Sequence, residues 1–269
     1  MPEPSNPRFF IQSGEAIRAR LDQDMSAALG QTELSIKEKI AVACRLLADE
    51  GHARTLAGQV TVRDPGASSY WTTGFGAGLA ETTVTNLVRV DDSMTPIEGP
   101  GIPNPAVRFH LWIYQRRSDL NCIIHTHPPH CCALGLIGEP LSVAHMDAAV
   151  FYDDCAFLGT WPGLPVANEE GQIIADALGS KRSILLAHHG MLTTGSSLEE
   201  ALYLAVLLEH AAEVQLLALS TGQPIRQIDP TLARDARDFM RKPSMINGTF
   251  AYWSRQTLKR HPDLLGAVP

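Results

Sequence analysis

Two sets of histidines carry the chemistry of this chain. The first lies in Cys122-Ile123-Ile124-His125-Thr126-His127-Pro128-Pro129-His130. Asn121 to Ile124 reads as a buried strand running into His125-Thr126-His127. Alternation then puts His125 and His127 on one face and Thr126 on the other. Two imidazoles on one face can grip a divalent ion. Pro128 and Pro129 cannot continue a central ladder, so the strand must end there and present its histidines at a rim. The second set closes Ser183-Ile184-Leu185-Leu186-Ala187-His188-His189-Gly190, another apolar strand with histidine at its C-terminal end. Gly190 is expected to give the sharp turn. Adjacent His188 and His189 face opposite ways on a strand, so only one of them is expected to bind metal. A chance His-x-His pair is common; the second event is what favours a metal site. Three imidazoles from two strand ends match open zinc sites that keep a position for water or substrate. Cys131 and Cys132, beside the first set, read as small buried residues rather than ligands.

The elements that position these groups follow from spacing. Glu15 to about Leu29 carries Ile17, Leu21, Met25 and Leu29 at helical intervals, and a second helix is capped by Ser35 with Glu38 three residues on. Ala57 to Arg63, Tyr70 to Thr73 and Asn86 to Val90 read as strands, and 99–105 as a Gly/Pro-rich connector. Helical spacing returns over Ala106 to Gln115. Leu141 to Asp147 and Ala149 to Tyr152 read as two more short strands, and Asn168 or Glu169 opens a helix. Ser197-Leu198-Glu199-Glu200 is a capping box for a helix to about Leu219, and the tail is helical with a break at Pro243. This irregular alternation favours an α/β fold with a central, largely antiparallel sheet layered by helices.

With 269 residues and 45% of them hydrophobic, the chain can bury the core of one large domain. A net charge of −7 without a basic run argues against nucleic acid or an anionic membrane as partner. The start shows no positive-then-apolar signal pattern, and its polar, Pro-rich residues read as disordered. The longest apolar stretch, Ala201 to Leu208, stops at Glu209-His210, short of a bilayer span. Five cysteines, an odd count, fit reduced thiols in a cytoplasm.

The order of a helix, Gly58-Gln59-Val60-Thr61-Val62-Arg63, a Gly turn, Arg108-Phe109-His110, His125-x-His127 and His188-His189-Gly190 resembles the class II aldolase/adducin family over roughly residues 36 to 220. The resemblance implies a three-layer α/β/α sandwich over residues 14–220, followed by a helical extension (221–269) that packs on the same domain or on a neighbouring subunit; residues 1–13 are the tail read as disordered. It implies a ring-shaped homotetramer with active sites between subunits. His125, His127 and His189 would ligate a divalent metal, zinc first, with iron, manganese or cobalt next, and the metal would stabilise an enediolate. Gly58, Gln59, Thr73, Gly74 and Asn104 are the corresponding substrate-binding positions.

The chain departs from the family's sugar-phosphate aldolases. Their Ser-Ser-Glu corresponds here to Asn104-Pro105-Ala106. Ala106 cannot move a proton, and Pro105 has neither hydroxyl nor N–H for a phosphate. The expected tyrosine falls near Cys155, with Tyr152 three residues earlier. Three neutral histidines leave a metal its full double charge and an open position. That favours an anionic chelating substrate such as a 2-oxo acid or an ortho-hydroxy carboxylate. Breaking the adjacent carbon–carbon bond, by decarboxylation or retro-aldol cleavage, leaves an enolate that needs a proton. His130, His145, Asp147, Tyr152 and Asp154 are candidate donors, and His145 is alternatively a fourth ligand. The family includes decarboxylases. Ala144-His145-Met146-Asp147 and Phe151 to Phe157 also resemble a non-sugar branch that includes non-haem iron oxygenases of prenylated 4-hydroxyphenylpyruvate. A lyase is thus the first expectation and an Fe(II) oxygenase of 4-hydroxyphenylpyruvate-like acids the second. An adducin-like scaffold is third, since a scaffold has no chemical use for three histidines.

Overall fold

The computed structural model describes residues 13–28, 32–164 and 167–266. The disordered tail expected at 1–13 lies outside them except for Ser13. Eight helices and eight strands are formed among the described residues. The strands are β1 (Gln59–Arg63), β2 (Ser69–Thr73), β3 (Leu87–Asp91), β4 (Pro96–Glu98), β5 (Cys122–Thr126), β6 (Cys155–Leu158), β7 (Ser183–Leu186) and β8 (Gly190–Gly195). They make one sheet in the order β4-β3-β2-β1-β5-β8-β7-β6. Every pairing is antiparallel except β6 with β7.

Both faces of the sheet are covered, so its strands are apolar on both sides. On one face Val60, Val62, Cys122 and Ile124 join a core with α2 (Ile36–Asp49), α4 (Pro129–Ile137), α6 (Leu198–Leu219) and α8 (Pro243–Arg260). On the other, Ile123, Ile184, Leu186 and Leu192 pack under α3 (Val107–Arg116) and α5 (Asn168–Leu178). The result is a three-layer α/β/α sandwich. The two further helices are α1 (Gly14–Ala28) and α7 (Pro230–Met240).

Local signals explain the helix starts. Ser35 and Glu38 form a reciprocal capping box on α2. At α6 only half of the expected box forms: Ser197 accepts from the Glu200 N–H, while the Glu200 carboxylate turns to the N–H and hydroxyl of Ser196. α6 has 22 residues and is apolar enough to cross a bilayer, yet Leu202, Leu204, Ala205, Leu208 and Ala212 are buried in the core. Phe250 and Ile246 of α8 and Met240 of α7 join that same core.

The two strands expected over 141–152 do not form. Residues 141–145 are irregular, and Met146–Phe151 is a 3-10 turn whose Ala148, Ala149, Val150 and Phe151 are buried. Val150 and Phe151 are strand-formers by type, but the sheet already ends at β6, so this segment buries its side chains without a ladder partner.

Candidate metal centre

The histidines gather at one rim of the sheet, where β5, β6 and β7 end and β8 begins. His125 is the fourth residue of β5 and points to the α3/α5 face, while Thr126 points to the other and meets His52 Nδ1 at 2.9 Å. His127 follows the strand, held by its N–H to the His52 carbonyl at 3.1 Å. His189 sits in the turn Ala187-His188-His189 between Leu186 and Gly190, which are paired across the β7–β8 hairpin. One nitrogen from each of His125, His127 and His189 lies within 4.8 Å of the others. His188 is exposed and not among them.

Gly190 does not make the turn. The left-handed residue is His188, at φ 58°, a conformation that costs a non-glycine residue and re-aims the chain so that His189 faces the others. Gly190 instead allows close approach. A Cβ there would lie 2.4 Å from the Thr126 carbonyl oxygen and 2.7 Å from His127 Cδ2.

The donor set suits a cation. His125 Nδ1–H donates to the Met191 carbonyl at 2.8 Å, which fixes the tautomer and leaves Nε2 with a lone pair. That Nε2 faces His127 Nε2 at 3.0 Å, close to the roughly 3.3 Å edge of a tetrahedral zinc–nitrogen set. Burial disfavours the charged imidazolium throughout. It is the main cause that holds His125 well below its ordinary value, lowers His127 and brings His189 to about 4; neighbouring histidines add to the effect at His125 and His189. All three are therefore neutral at pH 7, the form that ligates. Cys132 is not a ligand: its thiol donates to the His189 carbonyl at 3.3 Å, and burial raises it to about 11.

Of the positions expected to bind substrate, Gly58 and Gln59 lie against His125. Gln59 is directly opposite His125 in the β1–β5 ladder, so both side chains share a face. It is 3% exposed, and its Oε1 has no hydrogen-bond partner. Gly58 precedes it at φ 104°, where a Cβ would lie 3.6 Å from the His125 carbonyl oxygen. Gly74 bridges to Pro103, bringing the end of β2 against the start of α3. Asn104 Oδ1 accepts from the Ala106 N–H at 3.0 Å. Thr73 is buried on the opposite face of the sheet, level with Leu87. Phe109 of α3 meets the His125 ring edge-on at 5.1 Å.

The structure does not bring the acid–base candidates to the triad within one chain. His130, in α4, is tied by its N–H and Nδ1 to Glu209 of α6 at 3.0 and 2.8 Å. It lines a separate cleft with His52, Arg54 and His210. His145 lies against His210, ring centroids 6.0 Å apart, and Asp147 Oδ2 is 3.6 Å from His210 Nε2. Tyr152 packs by α7, its carbonyl accepting from Arg237 at 3.2 Å. Asp154 pairs with Arg241 and accepts from the Arg182 N–H at 2.9 Å. It sits where β7 begins, the end remote from His189.

Residues 38–216 match the model of the class II aldolase and adducin N-terminal domain family. The chain is 34% identical over 238 residues, 87% of its length and 88% of the relative's, to decarboxylase NovR of Streptomyces niveus. It is 31% identical, over 87% of its length and 86% of the relative's, to a 4-hydroxy-3-prenylphenylpyruvate oxygenase/4-hydroxy-3-prenylbenzoate synthase of Streptomyces roseochromogenus. Among solved structures, an L-fuculose 1-phosphate aldolase from Glaciozyma antarctica superposes with a TM-score of 0.77 at 27% identity, covering 99% of this chain and 97% of that one. Fold, histidine rim and sequence agree, and the chain belongs to the class II aldolase and adducin family, close to members that are not sugar-phosphate aldolases.

Proposed function

We propose that the protein is a divalent-metal-dependent carbon–carbon lyase acting on a non-phosphorylated 2-oxo acid or hydroxy-aromatic carboxylate. One observation carries this reading. The His125/His127/His189 set is covered by α3 through Phe109, and the start of that helix, Asn104-Pro105-Ala106, offers neither a carboxylate nor a hydroxyl. Pro105 has no N–H and the Ala106 N–H is already given to Asn104 Oδ1, so two of these three residues offer no backbone donor to a phosphate. Among the relatives, one named a decarboxylase supports a lyase of small acids over a sugar-phosphate aldolase.

The three imidazoles would hold the ion, zinc by preference. Bound there, it would act as a Lewis acid that favours negative charge on a chelating oxygen. The chain's own residues do the rest. The Met191 carbonyl keeps His125 Nε2 free of a proton, Phe109 walls the ring of His125 from water, and Gln59 presents an unpaired carbonyl oxygen on the same face. A polar substrate group with a hydrogen to donate satisfies Gln59 and is thereby oriented. Cleavage of the bond between carbon 3 of a 2-oxo acid and a departing aldehyde or carboxylate carbon leaves the electron pair on the substrate as an enolate, which a proton then quenches at carbon 3.

A second reading, an Fe(II) oxygenase of 4-hydroxyphenylpyruvate-like acids, is favoured by the relative named an oxygenase, although the common iron set of two histidines and a carboxylate is here three histidines. Two assays on metal-loaded protein separate the readings. Anaerobic release of carbon dioxide or an aldehyde from 2-oxo acids is expected for the lyase. Oxygen uptake with 4-hydroxyphenylpyruvate, dependent on iron and absent with zinc, would overturn it in favour of the oxygenase.

A further inference from the structure

The sheet itself does not hold His127. β5 ends at Thr126, whose ladder partner is Met191, so His127 is the first residue beyond the strand. α4 begins at Pro129, and Glu209 of α6 takes the N–H groups of His130 and Cys131 at 3.0 and 2.9 Å. The chain is thus fixed before and after His127. The freedom left to it lies in the peptide that joins it to Thr126. A turn of that peptide would swing the ring away from His125, whose Nε2 is 3.0 Å from His127 Nε2.

One residue grips that peptide from the opposite layer. α2 ends in a Schellman turn with Gly51 left-handed at φ 78°. The Gly51 N–H donates to the Ala48 carbonyl at 3.1 Å, and the His52 N–H to the Leu47 carbonyl at 2.9 Å. This turn delivers His52 beneath the end of β5, on the face opposite the triad. There its Nδ1 lies 2.9 Å from Thr126 Oγ1, and its carbonyl accepts the His127 N–H at 3.1 Å. One side-chain atom and one main-chain atom of the same residue thus clamp positions 126 and 127. The clamp is stiff, because Leu46 and Leu47 just before it are buried in the core. His52 is 0% exposed, and its Nε2 has no hydrogen-bond partner. A buried polar atom without a partner is a cost that a leucine in the same place would not carry. The bond to Thr126 is what the imidazole supplies in return.

We propose that His52 is a positioning residue of the metal centre, locking the Thr126–His127 peptide from the far side of the sheet so that His127 faces His125 and His189. This rests on the metal-centre reading above. His52 touches neither the ion nor the substrate. It acts through Thr126 and His127, as outer partners of metal-binding histidines do.

The test is the cobalt(II) affinity of the full chain, measured by competition with a chromogenic chelator, with the visible absorption of bound cobalt as a second readout. Two substitutions separate bond from volume. His52→Asn keeps a polar atom near the place of Nδ1 but leaves space, whereas His52→Leu fills the space and removes the bond. Thr126→Val removes the same bond from its other end, and stands in for a His52 variant whose metal-free melting curve shows it unfolded. His52→Leu and Thr126→Val are each expected to weaken cobalt binding about 10–100-fold and to shift its absorption band. The double variant is expected within about threefold of the weaker single, since both remove one bond, and His52→Asn within about threefold of wild type. His52→Leu as tight as wild type, or His52→Asn as weak as His52→Leu, would mark the ring as packing and overturn the assignment while leaving the metal centre intact. Losses that multiply in the double variant would overturn it too. A wild type that takes up no cobalt would sink the metal-centre reading itself, and the role of His52 with it.

Discussion

Gly190 lies directly beneath His127: a Cβ on Gly190 would come within 2.7 Å of His127 Cδ2 and 2.4 Å of the Thr126 carbonyl oxygen. One of these atoms belongs to backbone and the other to a proposed ligand, so the collision must move β5, β8 or the ring. Gly190→Ala is expected to lose about 1–3 kcal/mol of stability by overpacking and to bind metal more weakly. Urea unfolding with and without metal measures both, and an unchanged midpoint would show that this approach is not close in solution.

Acid sensitivity follows from two histidines outside the ligand set. His110 is fully enclosed, its Nδ1 2.9 Å from Thr61 Oγ1, and burial lowers it from 6.5 to about 3. Burial lowers His52 to about 4. A histidine depressed in the fold binds its proton more readily when unfolded. Its contribution is therefore complete above pH 6.5 and drains away as pH falls towards the folded value. Each group contributes a slope of up to about 1.4 kcal/mol per pH unit in that window. Metal-free protein is expected to lose stability steadily from pH 6.5 to 4.5, and His110→Gln to show a shallower slope. Parallel slopes for the two proteins would contradict this.

Much of the site is legible in the sequence, and the failures have physical causes. His125 and His127 share a face because strand alternation is strict and Pro128 stops the ladder. The rim follows directly. The role of Gly190 is not legible, since a glycine is needed equally for positive φ and for close approach, and only coordinates show that His188 takes the left-handed conformation. α4 is hidden by Pro128-Pro129, a stop signal for a strand that also serves as a helix start with Pro129 in its first turn. β4 has only three residues, and the six of β8 (Gly190–Gly195) lack clear apolar alternation. Asp154, His130 and His145 are near the ligands in sequence, yet the chain carries each to another part of the molecule.

Asp154 is expected to be structural. Its carboxylate and the Arg241 guanidinium are 11% and 16% exposed as side chains, and Arg241 Nε and Nη2 have no other partner. Asp154→Ala leaves that charge buried and unpaired, at a cost of about 3–5 kcal/mol. Metal content in the surviving folded protein should not change. Loss of metal with stability preserved would return Asp154 to the site.

The central claim is tested most directly by elemental analysis of metal per chain in wild type, His125→Ala, His127→Ala, His189→Ala and His188→Ala after identical loading and dialysis. About one divalent ion per chain is expected in wild type and in His188→Ala, and almost none in the other three. Full metal content in any of those three, or its loss in His188→Ala alone, would contradict the assignment of His125, His127 and His189 as the centre of this protein's chemistry.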